Sequence, residues 1–146
     1  MKTLLERCQH LPDRTFAPGE CLLEEGSRTG VIYVLVEGEL EVLKGQVQIA
    51  TSSEPGALFG EMSVLLDLPH MATVKAVEPS IVKAVAQGRE FLRAQPDVTV
   101  EVARMLARRL HFVTTYLADL KRQFEGTNDH LGMVDEVLDS LVHHQD

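Results

Sequence analysis

Turn-forming residues recur at short intervals between Asp13 and about Val85, and this spacing limits the folds that the chain can adopt. Short, mostly apolar runs separate the turns, and the longest of these runs is Val31–Val36. Strands of this length at such regular spacing predict a β-sandwich or a β-barrel. The turns lie at Pro18-Gly19, Gly26-Ser27, Gly38, Lys44-Gly45, Pro55-Gly56, Pro69 and Pro79.

Two regions of this β-segment indicate how their strands lie in a sheet. Apolar and polar residues alternate from Glu39 to Leu43 and again from Gln46 to Ile49, on either side of Lys44-Gly45. This alternation predicts a hairpin with one face towards solvent. The run Val31–Val36 is apolar on both faces, so we expect a central strand that is covered on both sides.

After Gly88 the hydrophobic pattern changes to a helical period. Arg89–Gln95 predicts one short helix, which Pro96 ends while starting a long one, and no helix breaker follows before Gly126. A last amphipathic helix is expected after Gly126-Thr127-Asn128, with Leu131, Val134, Leu138 and Leu141 on one face. A short amphipathic helix is expected within residues 1–11. The chain therefore divides into 1–95, a β-domain with an N-terminal helix, then 96–125, a long helix, then 126–146, a C-terminal helix.

The long helix carries apolar residues at alternating spacings of 3 and 4, the pattern of a coiled-coil interface. We therefore predict a homodimer through this seam. The alternative is a single helix that packs on its own β-domain, but such a stripe is usually broader and drifts at 3.6 residues per turn. The seam residues are Ala103, Leu106, Leu110, Val113, Leu117, Leu120 and Phe124.

Composition excludes several classes of protein. A net charge of −8 argues against a nucleic-acid partner, because such binding needs a concentrated positive face. The longest apolar run is far too short for a membrane span, which takes about 20 residues. The N-terminus lacks the pattern of an export signal, so a cytoplasmic location with reduced cysteines is expected. No metal-ligand spacing, cofactor motif or catalytic motif occurs, and we expect no enzyme activity.

The segment Phe59–Leu66, followed by Pro69–Ala76, is the strongest candidate for a functional site. A glycine turn at Gly60 leads into one short helical turn, whose free backbone N–H groups form a site for an anion. Glu61 then lies where its carboxylate accepts a hydrogen bond from a sugar hydroxyl. The alternative role for Glu61 is to cap the short helix, as acids in a first turn often do.

This segment resembles the phosphate-binding cassette of the cyclic nucleotide-binding domain family. Further matches follow in the family's order along residues 11–110. The resemblance implies an eight-stranded jelly-roll barrel with a short N-terminal helix, a long C-terminal helix that dimerises in bacterial members, and a cyclic nucleotide ligand. The matching motifs are Pro18-Gly19-Glu20, Glu25-Gly26, Tyr33–Gly38, Pro55-Gly56, Phe91, Pro96 and Arg108-Arg109.

The resemblance also implies roles for individual residues. Glu61 corresponds to the acid that binds the ribose 2′-hydroxyl, and the backbone of Gly60, Glu61, Met62 and Ser63 corresponds to the part that faces the cyclic phosphate. Ala72 lines the phosphate pocket. The sequence departs from the family at two positions, where His70 replaces the phosphate-binding arginine and Met71 follows it in place of a small or hydroxyl residue. Because Met71 offers no hydroxyl to guanine, cAMP is the expected ligand.

The substitution at His70 leaves more than one function open. Histidine offers one donor in place of a permanently charged fork, and losing a buried charge partner costs about 2–5 kcal/mol. The first hypothesis is a regulatory module that binds cAMP and acts on an unknown protein partner. The second is an interaction domain of the same fold that has lost the ligand, and the absence of the family arginine at His70 is its main support. A separate alternative for His70 itself is a position on the surface of a turn. The third, a cupin-type metalloenzyme, needs several histidines on strands, and residues 13–85 contain only His70.

Overall fold

The computed structural model describes residues 2–124 and 131–143. It contains two compact units, Met1–Glu101 and Val102–Asp146. The boundary between them falls within the longest helix, a few residues beyond the division at 95/96 expected from the sequence.

The first unit is built on two four-stranded antiparallel sheets. The strand order is β1-β8-β3-β6 in one sheet and β2-β7-β4-β5 in the other. Chain neighbours thus often lie in different sheets, as in a jelly roll, and the predicted β-roll is confirmed; closure into a barrel stays a prediction. The strands are β1 Asp13–Phe16, β2 Cys21–Leu23, β3 Ile32–Glu37, β4 Leu40–Lys44, β5 Val47–Ser52, β6 Leu58–Phe59, β7 Thr73–Ala76 and β8 Ser80–Val85.

Apolar side chains from both sheets form one core. Strand β3 lies between β8 and β6, and its first four residues are buried, which confirms the central strand expected at Val31–Val36. The ring of Phe16 on β1 meets that of Tyr33 on β3 edge to face, with centroids 6.0 Å apart. The core also includes Leu22, Leu23, Leu35, Leu40, Phe59, Val74, Ala76 and Val82.

The hairpin predicted around Lys44-Gly45 is present as β4 and β5. Its second strand is more exposed than expected, with Val47 at 66% and Ile49 at 59%. The reason is the position of β5 at the edge of its four-stranded sheet, where it pairs with β4. An edge strand has less of its surface covered than a central one.

Five helices accompany the sheets in the described ranges. The N-terminal helix is shorter than residues 1–11, and the last helix begins at Leu131, while the stop predicted at Gly126-Thr127-Asn128 lies outside the described residues. The long helix starts at Pro96 as predicted. The helices are α1 Lys2–Arg7, α2 Glu61–Leu66, α3 Gly88–Ala94, α4 Pro96–Gln123 and α5 Leu131–Ser140.

Side-chain contacts fix the start of α4 within the first unit. Thr99 Oγ1 donates to the carbonyl of Leu92 at 2.5 Å and so ties α4 to α3 across the break between them. Arg7 donates to the Asp97 carboxylate at 2.6 Å, and this hydrogen bond holds the pKa of Asp97 below its usual value.

In the second unit, α4 continues through the predicted seam up to Gln123, and the last seam residue, Phe124, follows directly after the end of the helix. Several seam side chains are well exposed in the single chain, among them Leu110 at 47% and Val113 at 44%. Lys121 forms an ion pair with Asp135 and so links α4 to α5.

Candidate functional site

The candidate site begins at Gly60, between β6 and α2. Gly60 has φ +94°, and a Cβ added there would lie 2.5 Å from the carbonyl oxygen of Val31. A side chain at Gly60 is therefore disfavoured for two reasons, namely the left-handed backbone and contact with the backbone of Val31, the residue directly before β3. The tight turn lets the chain enter α2 directly after the core residue Phe59.

The first turn of α2 carries the candidate anion site. Its N–H groups have no acceptor inside the helix, because the first turn of any helix lacks preceding carbonyls. Glu61 is 4% exposed and lies at the positive end of this short helix. A buried carboxylate in this position suits a hydroxyl ligand and also suits capping, so both roles stay open.

Ser63 and Asp67 close α2 at its other end. Ser63 Oγ donates to the carbonyl of Leu68, and the amide of Leu68 donates to the carbonyl of Ser63 at 3.1 Å. Asp67 adopts φ +54°, which reverses the chain after α2. The Ser63 hydroxyl is thus used inside the cassette, and the role predicted for this residue rests on its backbone.

His70 lies inside the protein, which contradicts the alternative of a position on the surface of a turn, while its predicted role in ligand binding stays a prediction. The residue is 4% exposed, and its Nε2 lies 2.6 Å from Thr29 Oγ1. Its amide donates to the carbonyl of Ser27 and its carbonyl accepts from the amide of Gly26, each at 2.8 Å. Burial lowers the pKa of the imidazole below 6.5, because the charged form loses hydration.

The loop between β2 and β3, residues 24–31, runs alongside the second half of the cassette. Arg28 pairs with Asp67 at 3.0 Å. The amide of Glu25 donates to Thr73 Oγ1 at 3.0 Å. Together with the contacts of His70, these bonds attach the loop at several points. Sequence reasoning identified the turn at Gly26-Ser27 but missed its attachment to the cassette.

The turn between β4 and β5 reaches the same region. Lys44 Nζ donates to the carbonyl of Met71 at 2.7 Å and pairs with Glu25 at 3.3 Å. The amide of Gly45 donates to Glu25 Oε1 at 2.8 Å, and this bond, reinforced by Lys44, lowers the pKa of Glu25. Lys44 thus brings a cation close to the end of the cassette, a contact with no signal in the local sequence.

The structure brings the two halves of the predicted site together. A Cβ at Gly60 would lie 3.6 Å from His70 Cε1, so the imidazole lies beside the glycine turn. Met62 is 46% exposed, while Met71 and Ala72 are half-buried. The ligand roles assigned to these residues stay predictions.

Neither a metal site nor a membrane-spanning helix is found in the described part of the chain. Residues 2–124 and 131–143 contain no group of three or more histidine, cysteine, aspartate or glutamate side chains placed to hold a metal ion. Over the same ranges, no helix combines the length and apolar character of a membrane span.

The candidate site thus lies in a β-roll of two four-stranded sheets, at a short cassette helix that begins after a glycine turn. The family model for the cyclic nucleotide-binding domain matches residues 13–94. The chain therefore belongs to the cyclic nucleotide-binding domain family, as the resemblance in its sequence indicated. The family model describes a binding domain and not a catalytic one, which agrees with the expectation that the matched residues 13–94 have no enzyme activity.

The chain is similar to parts of several known proteins, and the matches differ in sequence identity and in the share of each protein that they cover. It is 27% identical over 113 residues to a CRP-like cAMP-activated global transcriptional regulator of Mycobacterium tuberculosis, covering 72% of this chain and 50% of that protein. It is 37% identical over 79 residues to a cAMP-dependent protein kinase regulatory subunit of Hypocrea atroviridis, covering 54% and 16%. The Thermus thermophilus catabolite activator protein matches the fold with a TM-score of 0.68 at 24% identity, covering 82% and 59%. The chain spans about half the length of the first of these relatives.

Proposed function

We propose that this chain is a sensor module that binds cAMP at the cassette Gly60–Ser63. The observation that carries the proposal is the conformation of Gly60 together with the buried Glu61 that follows it, within residues 13–94, which match the model of the cyclic nucleotide-binding domain. The names of two relatives, a cAMP-activated regulator and a cAMP-dependent kinase subunit, support cAMP as the ligand.

In this proposal each cassette residue has one task. Glu61 accepts a hydrogen bond from the ribose 2′-hydroxyl, and the first-turn N–H groups of α2 receive the cyclic phosphate. Ala72 lines the phosphate pocket, and Met71 leaves guanine without a hydroxyl partner. His70 supplies the cation in place of the family arginine, at a cost in affinity.

We further propose that binding is transmitted through α4 at a homodimer seam. The ligand acts only through its different affinity for two arrangements of the helix. A protein partner in the cytoplasm then recognises one of these arrangements. The support for the seam is the 3-and-4 spacing on a helix that runs unbroken from Pro96 to Gln123 and leaves Leu110 and Val113 exposed.

A thermal-shift panel with cAMP, cGMP and cyclic dinucleotides at pH 6 and 7.5 tests the ligand. A compound that binds only the folded state raises the melting temperature, by the equivalent of about 2.7 kcal/mol at a hundred times its Kd. We expect cAMP to give the largest shift. If no compound shifts the transition at millimolar concentration, the proposed function fails.

The second candidate is a ligand-free interaction domain of the same fold. One observation favours it, namely that His70 is buried and hydrogen-bonded to Thr29 instead of being open to solvent. The two candidates differ in the response of His70→Arg. If the chain is a sensor, His70→Arg should bind cAMP more tightly than wild type does. If the pocket is closed, the variant should bind no nucleotide.

A further inference from the structure

Thr29, an exposed loop residue, uses its hydroxyl in two contacts. Its Oγ1 accepts a hydrogen bond from the amide of Val31 at 3.2 Å and lies 2.6 Å from Nε2 of His70. A hydroxyl has one hydrogen and two lone pairs, so Oγ1, with one lone pair used by the Val31 amide, either donates to Nε2 or accepts from it, depending on which ring nitrogen of His70 carries the proton. When the ring is neutral with its proton on Nδ1, Nε2 is an acceptor and the Thr29 hydroxyl donates to it, and burial of the side chain favours a neutral ring.

Burial of His70 also favours the neutral ring. The residue is 4% exposed and its backbone is fixed on both sides by Gly26 and Ser27. The charged side chains on the neighbouring segments are Glu24, Glu25 and Arg28 on the loop, Glu61 and Asp67 at the two ends of α2, Lys44 on β4 and Lys75 on β7. Arg28 pairs with Asp67, and Lys44 pairs with Glu25. Glu61 is buried at the start of α2.

We propose that Thr29 is a positioning residue of the cyclic nucleotide site, which keeps His70 neutral in the free protein and thereby couples the binding of an anionic ligand to the uptake of one proton by His70. This inference rests on the proposed function and extends it to the regulation of the same site. The proton comes from solvent and binds Nε2, and the Thr29 hydroxyl turns from donor to acceptor. No covalent bond changes.

The sign of the pH dependence follows from the two states of the ring. In the free protein, burial holds the pKa of His70 below 6.5. In the complex, a nearby phosphate favours the charged form and raises that pKa. A phosphodiester keeps a single negative charge in this range, so it does not titrate itself. Affinity is therefore highest below the free-state pKa, falls by up to about tenfold per pH unit between the two pKa values, and levels off above the bound-state pKa.

An NMR titration of the His70 ring in the free protein tests whether Thr29 keeps that ring neutral. Thr29→Val removes the hydroxyl at nearly constant volume and should raise the titration midpoint, because the neutral ring loses its donor. Thr29→Ser keeps a hydroxyl and should restore the wild-type midpoint. Thr15→Val, at an exposed position on β1, is the matched control. An unchanged or lowered midpoint in Thr29→Val would overturn the role of Thr29.

Calorimetry of cAMP binding in two buffers of different ionisation enthalpy tests the coupling. Wild type should take up a proton between the two pKa values, and Thr29→Val should move the fall in affinity to higher pH. His70→Gln cannot be protonated in this range and should bind weakly with no pH dependence. Tight binding without proton uptake overturns this inference while the proposed function stands. No binding by wild type or by His70→Arg overturns the proposed function itself.

Discussion

At the scale of single residues, Glu61 carries the most direct test of the site. The residue is 4% exposed at the first turn of α2, so removing its whole side chain would leave a cavity as well as remove a charge. Glu61→Gln keeps the volume and removes only the charge. We expect this variant to weaken cAMP binding by about 1.5–3 kcal/mol, the range for a hydrogen bond to a charged group. Isothermal titration calorimetry measures the loss.

The thermal transition of the same variant separates the two roles of Glu61. A carboxylate that only caps α2 would lower the melting temperature when replaced and leave the affinity for cAMP unchanged. That result would contradict the ribose contact at the residue that matches the family best.

His70→Arg addresses the departure from the family. Arginine carries a permanent charge and a two-pronged donor for phosphate, so affinity for cAMP should rise by about one to three orders of magnitude. The dependence of affinity on pH should disappear, because the guanidinium does not titrate near neutrality. Calorimetry between pH 6 and 8 provides both values. Because His70 is buried, a circular-dichroism melt must first show that the variant folds.

The sequence predicted part of the site at this scale and missed another part for a clear physical reason. Gly60 and Glu61 belong to one continuous motif, so local rules for turns and first helical turns identified them. The contact between Thr29 and His70 joins residues 41 positions apart. Nothing in the local sequence at Thr29 distinguishes it from any other polar loop residue, and burial of His70 results from packing between loops.

At the scale of elements, the turn into α2 depends on the absence of a side chain at Gly60. We expect Gly60→Ala to lower the free energy of unfolding by about 1–3 kcal/mol or more, because the added Cβ meets the carbonyl of Val31 in a left-handed backbone. Denaturant unfolding measures the change.

Gly19 provides the matched control for this prediction. Its φ is +86°, close to that of Gly60, and a Cβ added there meets nothing within 4 Å. Gly19→Ala therefore has the backbone strain without the clash and should cost less. Equal costs for the two variants would show that contact with Val31 does not determine the turn.

The elements themselves were largely predictable, because turn spacing and hydrophobic period are local signals. The central strand, the hairpin and the start of α4 at Pro96 agree with the structure. Strand β6 has only two residues, too few to show alternation, and its assignment depends on pairing with β3. The exposure of β5 follows from its place at the edge of a sheet, which no local pattern reveals.

At the scale of the whole molecule, the heptad spacing on α4 predicts a homodimer. The double variant Leu110→Glu with Leu117→Glu places like charges across the seam and should convert dimers into monomers that keep a folded β-roll. Multi-angle light scattering at tens of micromolar measures the mass, and circular dichroism reports the fold.

Thr115→Glu is the control for this assembly test. Thr115 is exposed on α4 and lies roughly opposite the seam at 100° per residue, so its substitution should leave the dimer intact. Monomeric wild-type protein under the same conditions would contradict the seam.

The glycine turn also determines what a genetic experiment on this protein can teach. Gly60 belongs both to the candidate binding site and to the packing of the β-roll, because a side chain at Gly60 would meet the carbonyl oxygen of Val31, the residue directly before β3. A screen for lost signalling would recover alleles at Gly60, yet such alleles report on the amount of folded protein in the cell. Alleles such as Glu61→Gln, which removes only a charge, and Thr29→Val, which changes the protonation of His70, have phenotypes that report on ligand recognition.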